Sequence, residues 1–118
     1  MRTYVSINRK LKSALSPILP TAHGEYGGKD DAYAVFRVSA RTKSVIGSGE
    51  NQAVVCYGFI DVFTKTNSSV EDSVLSKIDK ALEENGFMVA NITDPEYIYD
   101  KHYFRAEVTF RYVYPLEV

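Results

Sequence analysis

The stretch from Tyr103 to Tyr114 restricts the possible folds of this chain more than any other. Phe104, Ala106, Val108, Phe110, Tyr112 and Tyr114 share one parity, and Tyr103, Arg105, Glu107, Thr109 and Arg111 share the other. Side chains on a β-strand point to alternate faces, so this run specifies a long strand that buries one face and leaves the other polar. The residues before it, from Asp61 onward, read as strand, amphipathic helix, strand and turn. A chain ending in this way needs a sheet with something apolar packed on one side.

The helix supplies that cover. Ser68-Ser69-Val70-Glu71 fits a capping box, with the Ser68 hydroxyl and the Glu71 carboxylate set to satisfy exposed amides at the helix start. Asp72 adds favourable charge there. Val74, Leu75, Ile78, Ala81 and Leu82 form the apolar stripe, and Gly86 after Asn85 is a left-handed stop. Phe87 to Thr93 then reads as a strand, Asp94-Pro95 as a turn, and Tyr97 to Tyr99 as a short extended piece. Upstream, Ala53 to Thr64 is the longest apolar strand. Val54, Cys56, Ile60 and Val62 alternate with Val55, Tyr57, Phe59 and Phe63, so both faces are apolar. That pattern predicts a central strand covered twice, once by the chain's own helices and once by another subunit.

Nearer the N-terminus, Tyr4, Ile7, Leu11, Ala14, Leu15 and Ile18 are spaced for one helical face, with Thr3 or Ser6 as the cap. Pro17 should end this helix near Leu15, because the residue before a proline avoids helical geometry. An extended segment follows from Thr21 to Tyr26, then a turn at Gly27 to Asp31. Ala32 to Arg41 is a strand with Ala34, Phe36 and Val38 on one face. Residues Thr42 to Gln52 include Gly47, Gly49 and Asn51 and read as a long loop, either a partner-reaching element or a simple tip. The expected architecture is therefore one α+β domain, residues 1–118, in the order α-β-β-β-α-β-β. Its mainly antiparallel sheet has about four to five strands, with two helices on one face.

Composition narrows the function. The 118 residues are 45% hydrophobic and 25% charged, which is enough for a packed core. Fourteen basic against fifteen acidic residues give a net charge of −1, without the basic excess of a duplex-binding domain. The one cysteine, Cys56, lies in an apolar strand and reads as a small core residue compatible with a reducing compartment. No signal peptide or membrane-length apolar run is evident, so synthesis in the cytoplasm without membrane contact is expected. Nine tyrosines and no tryptophan suit either subunit contacts or the rim of a core.

The chemistry-bearing residues do not assemble into a recognisable site. His23 and His102 have no second ligand at metal-site spacing. Asp100 and His102 share a parity, yet no nucleophile motif accompanies them. Gly27-Gly28 and Gly47-Ser48-Gly49 match neither phosphate loop nor dinucleotide fingerprint. The expectation is no catalytic residue, no metal and no cofactor. If the chain were instead a small-molecule-binding or enzymatic domain, it should hold a deep pocket containing His23 or His102. What remains is a polar sheet face. Arg37, Ser39 and Arg41 share a face of one strand, Asp61 and Lys65 a face of the middle strand, and Arg105, Glu107, Thr109 and Arg111 a face of the last. This is either an ordinary solvated face or a surface that meets a partner.

The sequence Tyr57-Gly-Phe-Ile-Asp-Val-Phe-Thr-Lys-Thr66 leading to the helix Val74–Asn85, then Gly86-Phe87, the Asp94-Pro-Glu-Tyr97 turn and Tyr103 to Tyr112, resembles the small tail-terminator or tail-completion proteins of long-tailed bacteriophages. The resemblance covers most of the chain as a pattern of elements. It implies a virion protein whose subunits close into a ring, commonly a hexamer, on the tail tube. Such a ring ends tube growth and receives the head-side connector; the nearby alternative is another head–tail connector or a minor capsid subunit. A ring requires two different patches per subunit, since its contacts are head-to-tail. On this reading Val55, Tyr57 and Phe59 with Val45 and Ile46 are subunit-interface candidates. Arg37, Arg41, Arg105 and Arg111 are candidates for a lumen or docking surface, with at most transient contact with DNA.

Overall fold

The computed structural model describes residues 6–28, 30–46, 51–65 and 74–115. Helix α1 (Ser6–Leu15) is followed by strands β1 (Thr21–His23), β2 (Ala32–Ile46) and β3 (Asn51–Thr64). Helix α2 (Leu75–Glu84) precedes β4 (Met88–Ile92), β5 (Glu96–Ile98) and β6 (Tyr103–Pro115). The strands form one six-stranded sheet in the order β1-β2-β3-β6-β4, with β5 also pairing β6. All pairings are antiparallel except β1 with β2. The α+β architecture and the order of its elements follow the pattern in the sequence. The sixth strand is the short piece after Pro95, which pairs through Glu96↔Arg105 to Ile98↔Tyr103.

Both helices pack on the same side of the sheet. Ile7, Leu11 and Leu15 from α1 and Leu75, Ile78 and Leu82 from α2 meet Phe36, Val54, Cys56, Ile60, Val62, Ala106, Val108 and Phe110 in one core. Fully burying an aliphatic or aromatic side chain of this size contributes about 1.5–3 kcal/mol, so this layer dominates stability. Helix α1 stops at Leu15, with Ile18 and Leu19 amides both donating to the Leu15 carbonyl as Pro17 turns the chain away. Helix α2 ends in a Schellman arrangement. The Phe87 amide donates to Leu82 O at 2.9 Å and the Gly86 amide to Glu83 O at 3.1 Å, with Gly86 at φ +87°. The capping-box residues Ser68 and Glu71 lie outside the described residues, as does Tyr4.

Two features differ from the expectation. The long loop expected over 42–52 is mostly strand: β2 runs to Ile46 and β3 begins at Asn51, paired Ile46↔Asn51. Polar residues do not prevent this, because strand pairing there is carried by backbone groups. A bulge also interrupts β2 between Val38 and Ala40. Ser39 is the extra residue, and its hydroxyl donates to the Tyr57 carbonyl at 3.1 Å. After the bulge the parity of β2 is reversed. Arg41 pairs with Cys56, a residue of the helix-covered side, whereas Arg37 pairs with Phe59 on the other. The row Arg37, Ser39, Arg41 expected on one face is thus broken. A second bulge in β4 places both Val89 and Ile92 in register with core residues, Phe110 and Val108.

Candidate interaction surface on the open sheet face

The face of the sheet away from the helices is assembled in rows by the strand register. Tyr33, Phe63 and Arg105 form one row, and Val35, Asp61 and Glu107 the next. Arg37, Phe59 and Thr109 follow, then Tyr57, Arg111 and Met88, then Val55 with Val113. Opposed residues in an antiparallel pair stand side by side on the same face, so each row is a contact set.

The two ends of this face differ. At one end it is closed by rings. Tyr26 stacks on Tyr33 at 4.5 Å, Tyr33 on Phe63 at 4.8 Å, and Tyr103 meets Tyr33 edge-on at 5.4 Å. The Tyr103 hydroxyl donates to Asp30 O at 2.7 Å. The Tyr26 hydroxyl donates to the Asp30 carboxylate. Lys65 lies over the Tyr103 ring and Lys101 over Phe63. Tyr33 is 7% exposed as a result, and burial raises its pKa, with Tyr103 adding to the effect. At the other end nothing among the described residues covers the sheet. Tyr57 is 40% exposed, Val113 51% and Met88 53%. Val55 and Phe59 beside them are half-buried.

Between the ends lies a charged band. Arg105 reaches Asp61 at 3.7 Å and Glu96 at 4.0 Å, beyond hydrogen-bond length in both cases. Asp61 Oδ1 and Arg105 Nε are shut from solvent without a hydrogen-bond partner among the described residues. Burial pushes the Asp61 carboxyl above its ordinary range. Arg105 and Arg37 pull it down, and Glu107, directly across the strand pair, pushes it up again. Arg37 donates to Gly24 O at 3.1 Å, and Arg111 to Met88 Sδ at 2.8 Å. A cleft of about 320 Å³ between this band and the aromatic end is lined by Tyr26, Tyr33, Arg37, Asp61, Phe63 and Arg105, among others.

The structure thus places Val55, Tyr57 and Phe59 together on the open face with Arg37, Arg105 and Arg111. Val45 and Ile46 pair with Gln52 and Asn51 in the backbone of the β2–β3 hairpin, and their side chains lie outside the described residues. Met88 and Val113 belong to the same apolar strip but were not singled out from sequence. The parity of Val113 with Arg111 was the available signal. The aromatic end was also missed, because Tyr26, Tyr33, Phe63 and Tyr103 are far apart along the chain.

The histidines are not gathered into a site. His23 stacks on Phe36 at the sheet edge, and His102 sits at φ 58° in the β5–β6 turn, 3.4 Å from the Tyr97 hydroxyl. Neither lines the cleft described above. Among the described residues there is no cluster of three metal-ligating side chains, and no helix is long and apolar enough to cross a membrane.

No family model matches this sequence, and no curated protein matches it. Among solved structures, a chain from the "Virion of native gene transfer agent (GTA) particle" aligns over 91% of this chain and 85% of its own length. The identity is 9% and the TM-score 0.46.

Proposed function

We infer that the protein is a structural virion subunit that closes into a ring on the end of a phage tail tube, ending its growth and joining it to the head. The resemblance to tail-terminator and tail-completion proteins motivates this reading. The observation that carries it is the strip Tyr57, Met88 and Val113, exposed among the described residues and flanked by Val55 and Phe59, on a sheet whose other face carries the helix-packed core. A half-exposed tyrosine flanked by apolar side chains is typical of the centre of a subunit contact.

The arginine surface fits protein docking better than DNA binding. Arg37, Arg105 and Arg111 each have a partner within the subunit, and acidic Asp61, Glu96 and Glu107 lie among them. Backbone phosphates select unopposed cations. The ring's partners are therefore further copies of the chain, the tail tube protein and the head-side connector, with DNA at most passing through. The role needs neither cofactor nor turnover, and its place is the virion after synthesis in the host cytoplasm.

Light scattering and negative-stain electron microscopy test this reading. Closed rings, alone or on added tail tubes, are the expected result. A chain that stays monomeric at all concentrations and ignores both tail tubes and head-side connectors overturns it.

A further inference from the structure

The cleft on the open sheet face joins a rigid aromatic wall to a set of cations. Tyr26, Tyr33 and Phe63 are stacked at 4.5 and 4.8 Å, with ring planes 20° and 21° apart. Tyr33 and Phe63 are an opposed pair of β2 and β3, so the wall stands before anything binds. The same cleft is lined by Arg37, Lys101 and Arg105 against Asp61 and Glu25. Three cations against two carboxylates leave one positive charge over.

Arg105 has hydrogen-bonding capacity to spare. Its guanidinium stands 3.7 Å from Asp61 and 4.0 Å from Glu96, opposed in charge but hydrogen-bonded to neither. Its Nε is shut from solvent without a partner among the described residues. The side chain as a whole is 37% exposed and lines the cleft, so its fork can be reached from there. Beside it, Arg37 donates to Gly24 O, and the Lys101 ammonium lies over the Phe63 ring. A planar fork of donors matches a carboxylate, and one carboxylate neutralises the lining. A phosphate brings more charge and meets the repulsion of Asp61 and Glu25. At about 320 Å³ the cleft is at the bottom of the range of small-molecule pockets, about 300–1,000 Å³. It has room for a side chain or two rather than a cofactor.

Asp61 and Tyr57 lie on the same face of β3, roughly 13 Å apart at about 3.3 Å per residue. The two patches differ in kind. The strip around Tyr57 is apolar, as the centre of a permanent contact between copies is, whereas contacts between separately folded partners are more polar. We propose that the cleft is the docking point for a protein other than this chain that stacks on the ring. It receives a glutamate or aspartate side chain of that partner. The carboxylate is held by Arg105 and Lys101, and the apolar residue next to it rests on Tyr33 and Phe63. This inference rests on the ring reading and specifies where its partner binds.

The full-length, isotope-labelled chain is titrated by nuclear magnetic resonance with acetyl-Glu-Phe-amide, acetyl-Gln-Phe-amide and inorganic phosphate. The glutamate dipeptide should shift the amides of Gly24, Tyr33 and Asp61 saturably, and bind at least about tenfold more tightly than the glutamine one. Arg105→Lys, which keeps the charge but not the fork, should remove most of that preference. Lys101→Glu, an exposed change in a turn, should abolish it; its rings should still close yet fail to bind tail tubes and head-side connectors. Equal binding of the two dipeptides, no binding of either up to roughly 10 mM, or displacement by equimolar phosphate overturns the cleft and leaves the ring reading standing. Loss of ring closure in Lys101→Glu would put the next copy in the cleft and also overturn the assignment. A wild-type chain that never forms rings, even with tail tubes, overturns the ring reading, while the dipeptide titration still decides whether the cleft selects a carboxylate.

Discussion

Gly58 of β3 faces Phe110 of β6 across the sheet, and the Phe110 ring occupies the space that a side chain at position 58 would need. The Arg37 carbonyl closes the same space from the other side. Gly58→Ala should therefore force Phe110 off its packed position at the centre of the core. The expected loss is about 1–3 kcal/mol, read as a lowered urea midpoint with an unchanged slope. An unchanged midpoint would mean that the strands separate there at little cost.

Tyr57→Asp should leave the subunit folded and abolish self-association. The side chain is 40% exposed and its ring makes no buried contact in the core, so the monomer loses little. A carboxylate at this position must be desolvated in an apolar contact, at a cost of several kcal/mol that the opposed Arg111 repays only in part. Light scattering and circular dichroism on the same sample separate the two effects.

Asp61 gives a pH signature. Burial raises its pKa above the ordinary 3.8, so the folded state favours the protonated form. The stabilisation from this group is complete below 3.8 and is lost as pH rises through the higher folded value. Asp61→Asn mimics the protonated state. It should melt at or above the wild-type temperature at pH 7, with the difference vanishing below the ordinary value. A variant less stable than wild type at neutral pH would show that the Arg105 ion pair outweighs burial.

Gly86 supplies the left-handed turn that ends α2. Gly86→Ala places a β-carbon in that conformation, 3.3 Å from the Tyr112 ring. The expected cost is about 1 kcal/mol or more, or a melting temperature lower by roughly 3–6 °C. Thermal denaturation followed by circular dichroism measures it.

Much of this fold is legible in the chain because the core is made by regular periods. The stripe Leu75, Ile78, Leu82 and the alternation Ala106, Val108, Phe110 are buried as their spacing requires. The stop at Gly86 follows from local backbone chemistry. The bulges were not legible, since a single inserted residue reverses parity without altering composition, and Ser39 looks like any other strand serine. That reversal is why Arg41 is in register with Cys56. The extension of β2 through Ile46 was hidden for a related reason: a hairpin arm held by backbone pairing needs no apolar pattern. In the candidate surface, Tyr57 could be read from the doubly apolar strand. The ring cluster of Tyr26, Tyr33, Phe63 and Tyr103 depends on tertiary register that spacing does not encode.

The strand order has a consequence for how the subunit is made. Strand β6 follows every other described element in sequence, yet it lies inside the sheet, with β3 on one side and β4 on the other. Until it has left the ribosome, the most apolar strand of the protein has one whole margin unsatisfied, and the helices have only part of a floor to rest on. Core residues Ala106, Val108 and Phe110 arrive last. The sheet should therefore remain open and prone to mispairing until β6 is available, and then close in one insertion step that completes the core and the open face together.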